Sequence, residues 1–310
     1  MRVLCYRRRT RSDDGGPGVI SDARKEGGRG GPLPYHGSVS DSLQRLSPDD
    51  LERFRQEFLA AVPDADPLSQ CWVVAREICR AILGIDWARR SLTSPDPYFL
   101  MEAPDGSLES WMRTHRVIQF GRHLYDLQHL AFFTDLVSDL RTMDLVGAST
   151  ELHVAHLLTQ NGHTVRFVAR RGTKGTDFDQ LLTYRGTEMS VEVKTKQDVT
   201  SYTRATLDRS IKAARAQLPS TGPGLVFVQV PTTWVSAPAF QSEIEDLLAY
   251  HFRNGRRTNG IIILWDEWIP QANGGMAYLC RFNIRENPNP KVQVPGLQSL
   301  LQPVGLVTDS

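Results

Sequence analysis

The run Ser190-Val191-Glu192-Val193-Lys194-Thr195-Lys196 alternates in character. On a strand its valines share one face, and Glu192 and Lys194 stand side by side on the other. Upstream, Asp177 and Asp179 flank Phe178, so both acids point the same way. Two alternating runs, about 177–184 and 188–195, flank Arg185-Gly186 and read as a β-hairpin. With a two-residue turn, paired positions carry numbers that sum to 371. Glu192 then lies opposite Asp179, and Lys194 opposite Asp177. Three carboxylates and a lysine on one patch of sheet repel unless a cation joins them. Mg²⁺ suits such a set, being a hard ion that takes a few carboxylates and keeps its waters.

A further acid comes from the helix expected over about 150–160, introduced by Gly147-Ala148-Ser149-Thr150 and closed by Asn161-Gly162. Glu151 shares the apolar stripe of Val154, Ala155 and Leu158, where an uncompensated carboxylate is costly. It equally suits the helix N-terminus, where the dipole welcomes an acid. A strand over Thr164–Ala169 and a loop with Gly172 and Gly175 lead to the hairpin. A helix follows at about 203–218 with Leu207, Ile211, Ala214 and Leu218 inward, then the strand Leu225–Val230, a helix at 239–252, and strands at Ile261–Trp265 and 276–282. The order α-β-β-β-α-β-α-β-β predicts an α/β sandwich with helices over short hydrophobic strands.

This conjunction resembles the PD-(D/E)XK nuclease superfamily, with its restriction-endonuclease-like α-β-β-β-α-β core. The resemblance covers about 148–285: the helix Glu151 followed by spaced apolar residues and Gly162, the Asp within Lys174-Gly175-Thr176-Asp177-Phe178-Asp179, and Glu192-Val193-Lys194. Thr176 stands where the motif often has Pro. The pattern Gly-x-Asp-apolar favours Asp177, whereas the hairpin register favours Asp179. The resemblance implies Mg²⁺-dependent phosphodiester hydrolysis, with Mn²⁺ as substitute. The Asp, Glu192 and the Val193 carbonyl would hold one or two ions that acidify a water and neutralise phosphate charge. Lys194 would orient or deprotonate the water, and Glu151 would bind a second ion or position its water. Catalytic candidates are therefore Glu151, Asp177, Asp179, Glu192 and Lys194. DNA is the expected substrate, in defence, mobile-element processing or repair. The alternative is an inactive nuclease-like fold that binds nucleic acid or protein.

Residues 1–44 are rich in Gly, Arg, Asp and Ser and predict a disordered tail. Residues 45–146 predict an all-helical domain that binds a protein partner or second copy, or helps grip DNA. Ser47-Pro48-Asp49-Asp50 starts its first helix. Leu68–Leu83 forms the next, and one at about 118–144 carries a stripe of Phe132, Leu136, Leu140 and Met143. Residues 286–310 read as an extended tail. No apolar run is long enough to span a membrane, the N-terminus is no secretory signal, and Cys5, Cys71, Cys79 and Cys280 lack paired spacing. A reduced, cytoplasmic protein is the expectation.

The net charge of +1 gives no global attraction to polyanions, but residues 165–215 hold eleven Lys/Arg against six Asp/Glu. Of these, Arg204, Lys212 and Arg215 fall on one helix face, as a phosphate track or as an ordinary solvated face. His153, His156 and His163 read as surface or packing residues. Trp265-Asp266-Glu267-Trp268 reads as a strand end packed on the helices or as a base-stacking cluster. No P-loop, Rossmann glycine pattern or Gly-x-Ser-x-Gly is present.

Overall fold

The computed structural model describes residues 45–87, 108–141, 145–169, 177–253, 255–270 and 276–302. The expectations for residues 1–44, the loop glycines Gly172 and Gly175, Lys174, Thr176, Met143 and the tail beyond 302 lie outside the described residues.

Helix α1 (Pro48–Ala61) starts where a capping signal does. Ser47 accepts from the Asp50 N–H, and Asp50 accepts in return from the Ser47 N–H. Helix α2 (Pro67–Leu83) is capped by Asp66 and ends at Gly84, whose φ of 93° suits glycine. The single helix expected over 118–144 is two, α3 (Leu108–Leu127) and α4 (Phe133–Leu140). Phe132, placed on the inward stripe by its spacing, is left-handed and 49% exposed. The break shifts the phase by one residue, so that Phe133 joins Leu136 and Leu140 inside. Helix α5 (Leu145–Gln160) begins before the expected start and is buried from Leu145 through Leu158. Its burial, which takes in the polar Thr150, Glu151, His153 and His156 with the apolar residues, follows from its place between α3 and the sheet.

The six described strands run in chain order across one mixed sheet. They are β1 (Thr164–Phe167), β2 (Gln180–Tyr184), β3 (Thr187–Thr195), β4 (Gly224–Gln229), β5 (Thr258–Pro270) and β6 (Met276–Glu286). Strands β1 to β3 form an antiparallel meander, β3, β4 and β5 are parallel, and β6 returns antiparallel. Parallel neighbours need crossovers. Helix α6 (Arg204–Gln217) supplies the first. The short α7 (Thr232–Val235), which the sequence reading lacked, and α8 (Pro238–Arg253) supply the second.

Alternation along the central strands feeds two cores. Val191, Val193, Leu225, Phe227, Ile262 and Leu264 pack with α2 to α5. Val226, Val228, Ile261 and Ile263 pack with α6 to α8, where Leu207, Ile211, Ala214 and Leu218 point inward as their spacing requires. The first core is continuous from Ile78 of α2 to Leu264 of β5, so the helical region and the sheet share one interior. Residues after β6 do not simply trail away: Val294, Leu297, Leu300 and Leu301 are buried in that same core. Among the described residues, no helix is long and apolar enough to cross a membrane.

Candidate functional site

The hairpin turn is the two-residue Arg185-Gly186, with φ of 49° and 79°. Two successive positive φ values match the twist of paired strands. The resulting register carries the expected sum of 371 from Tyr184↔Thr187 to Gln180↔Val191. One residue further it slips. The Asp179 N–H donates to the carbonyl of Val191, which is already the partner of Gln180. Two residues against one is a β-bulge, a device that re-aims a side chain. The bulge aims Asp179 at the backbone of β3. Its Oδ2 accepts the Val193 N–H at 2.7 Å, and the side chain is almost fully buried.

A cleft of about 570 Å³ opens here, at the carboxyl end of β3. Glu151 enters from α5, Asp177 and Asp179 from the segment before β2, Val193 and Lys194 from β3, and Gln217 from the end of α6. The first acid is positioned from the sheet: the fully buried Gln180 donates its Nε2 to the Glu151 carbonyl at 2.7 Å. Four of the five catalytic candidates therefore line one cleft together with Val193. Glu192 lies beneath it, with no exposed surface, and Lys194 Nζ stands 2.5 Å from its Oε1 and 2.7 Å from Gln217 Oε1. Among the described residues, no three His, Cys, Asp or Glu side chains are gathered closely enough to hold a metal ion as they stand.

The loop after β3, whose Gln197 and Thr200 also line the cleft, is fixed from two directions. Arg116 of α3, itself buried, pairs with Asp198, and Trp234 of α7 donates its indole N–H to the Thr200 carbonyl at 2.6 Å. The helical region thus reaches the rim of the site. Lys196 lines the same wall, and burial, then Arg209 and Lys194, hold its proton affinity below that of an ordinary lysine. Gln180, Gln217, Arg116 and Lys196 were not singled out from the sequence. Only Lys196 left a signal there, since period two puts it on the face of Lys194.

The remaining candidates are engaged elsewhere. Lys212 pairs with Asp208 at 2.7 Å, Arg204 donates to the Glu243 carbonyl at 3.4 Å, and Arg215 to His251 Nδ1 at 3.0 Å. That face of α6 meets α8, not the cleft. His153 and His156 are buried, their rings tilted against His123, with His156 held by Asp126 at 2.9 Å. They pack α5 against α3, while His163 donates its Nε2–H to the Leu300 carbonyl at 2.7 Å. Trp268 packs with Tyr278 and His115 of α3, the strand-end packing anticipated from the sequence. No protein-family model matches the chain, and no curated protein matches it in sequence.

Proposed function

We propose that the protein is a metal-dependent nuclease with a restriction-endonuclease-like core, hydrolysing phosphodiester bonds, most directly those of DNA. The observation that carries this reading is the convergence of Glu151, Asp177, Asp179 and Lys194 on one cleft, in elements ordered α5-β1-β2-β3-α6-β4. The donor set fits a hard divalent cation: three carboxylates and the Val193 backbone, with no thiolate or imidazole among the described residues of the cleft wall. Asp177, Asp179 and Glu151 would hold it, and Glu192 could join only by exchanging Lys194 for the ion. Bound there, Mg²⁺ or Mn²⁺ supplies neutralisation of phosphate charge and acidification of a water. The chain's own groups do the rest. Val193 N–H fixes one Asp179 oxygen, Gln217 and Glu192 aim the Lys194 ammonium, and that ammonium faces negative charge growing on the phosphate.

A second reading, a nuclease-like fold that only binds, is favoured by one fact: Lys194 is already engaged by Glu192 and Gln217. Plasmid and single-strand cleavage with Mg²⁺ or Mn²⁺, beside thermal unfolding with and without the ion, separates the two. Cleavage with a metal-dependent rise in Tm supports the enzyme, because the ion binds only the folded arrangement. Neither a shift nor cleavage of any nucleic acid refutes it and leaves the binding module.

A further inference from the structure

The run Trp265-Asp266-Glu267-Trp268 divides between the two faces of the sheet. Asp266 and Trp268 look toward α3, where Tyr278 donates to Asp266 at 2.8 Å and His115 meets the Trp268 ring. Trp265 and Glu267 continue the line of Ile261 and Ile263 on the face covered by α6 to α8. Strand β4 stops short of them. The Val230 N–H donates to the Leu264 carbonyl at 2.8 Å, and Pro231, which has no N–H, ends the ladder. The chain turns off into α7 and leaves a cavity of about 360 Å³ between α7, the first turn of α8 and the part of β5 that pairs with β6 alone.

Trp265 brings a half-buried indole to this cavity. Among the described residues its N–H has no hydrogen-bond partner and its ring meets no other ring, in contrast to Trp234 and Trp268. Arg281, its cross-strand partner, pairs with Glu267 at 2.5 Å, so the cavity holds one charge of each sign and draws neither a free cation nor a free anion. The side chains of Thr232, Ser236 and Gln241 donate to the carbonyls of Asp266, Thr232 and Val235. Their oxygens remain as acceptors, and the half-exposed Arg281 guanidinium keeps further N–H donors. An aromatic ring flanked by acceptors and donors, without net charge, matches a nucleobase, whose face stacks and whose edge bonds. A wholly apolar ligand would leave those edges unpaired.

The cavity shares α7 with the cleft. Trp234, between Thr232 and Val235 in that helix, holds the Thr200 carbonyl at the cleft's rim. We infer that the cavity takes an unpaired base of the strand whose phosphate lies in the cleft, stacked on Trp265 and hydrogen-bonded at Gln241 and Glu267, with Arg281 at its phosphate. The inference rests on the nuclease reading and narrows its substrate to nucleic acid with a single-stranded segment beside the cut, since a base stacked within a duplex cannot enter.

The test is fluorescence anisotropy in EDTA, where nothing is cut, with a short labelled single strand and an abasic strand of the same length that keeps every phosphate. Trp265→Ala should bind the intact strand about 5- to 150-fold more weakly than wild type, the range that stacking one base on an aromatic ring supplies. Both proteins should bind the abasic strand equally, a pattern that loss of packing alone does not produce. Trp265→Phe should keep most of the preference for the intact strand, and Gln241→Ala, at an exposed position of α8, should lose part of it. Arg281→Gln should flatten the slope of log K against log salt by about 0.7, whereas Trp265→Ala should leave the slope unchanged. A preference for the intact over the abasic strand that is the same in wild type, Trp265→Ala and Gln241→Ala overturns the base site and leaves the nuclease reading standing. A wild type that binds neither DNA nor RNA overturns that reading and the base site with it.

Discussion

Replacing Lys194 by alanine removes the ammonium that stands 2.5 Å from Glu192 Oε1, and Glu192 has no exposed surface. Breaking a buried ion pair from one side costs about 3–5 kcal/mol, because the other charge stays in the interior. Lys194 itself is 28% exposed, so water screens the pair partly and the lower end of that range applies. At roughly 2–4 °C per kcal/mol for a domain of this size, Tm should fall by about 6–12 °C. The loss should depend on pH. A buried carboxylate without its counter-charge favours the protonated form, so the penalty should be largest at neutral pH and shrink on acidification. Glu192→Gln combined with Lys194→Ala should recover most of the stability, giving a large coupling energy in a double-mutant cycle. Thermal unfolding followed by circular dichroism at neutral and at mildly acidic pH provides the readout. A Lys194→Ala protein within about 1 kcal/mol of wild type at both pH values would show that the pair does not sustain the buried carboxylate. Loss of hydrolysis in Lys194→Ala is thus interpretable only below its lowered transition, beside the double variant.

Asp179→Ala should cost about 1–3 kcal/mol by orphaning the Val193 N–H, whereas Asp179→Asn keeps an acceptor and should cost less, while metal-dependent cleavage fails in both; equal melting of the two would dismiss the bond's structural role. Gly121→Ala should destabilise by about 1–3 kcal/mol, since a new Cβ would lie 2.7 Å from the Ala75 carbonyl oxygen and 2.8 Å from its Cα, backbone that cannot turn aside; chemical denaturation measures it, and a neutral outcome would mean α2 and α3 pack less closely. Burial holds His115 down to about 4 and His153 to about 3, so the unfolded chain takes their protons first as pH falls below about 6.5. Each should cost about 1 kcal/mol of stability per pH unit from there toward its folded value, a loss absent above pH of about 6.5; His153→Gln should flatten the acid limb of stability against pH, and an unchanged limb would contradict the assignment.

The parts of this fold that repeat locally were legible in the chain. Leu207, Ile211, Ala214 and Leu218 recur at helical spacing and all point into the second core. Arg185-Gly186 announced its own turn, and with it a register correct down to Gln180. What was not legible came from pairings without period. The bulge at Asp179 depends on how the chain enters β2, and it brings the acid to the Val193 N–H. Arg116 finds Asp198 across 82 positions, and Lys194 finds Gln217 across 23, distances at which spacing carries no information. Phe132 failed for a related reason: a single left-handed residue reset the phase of the stripe.

Strand β3 has an antiparallel neighbour on one side and a parallel one on the other, which gives the cleft a schedule during synthesis. The β2–β3 side closes through a two-residue turn, and hairpins form within microseconds. The other side must wait for α6, which brings Gln217 to Lys194, and for β4 and β5, which give α6 a surface to pack on. Long-range parallel pairing is the slow part of such folds. A growing chain therefore displays its acidic hairpin well before its lysine is aimed.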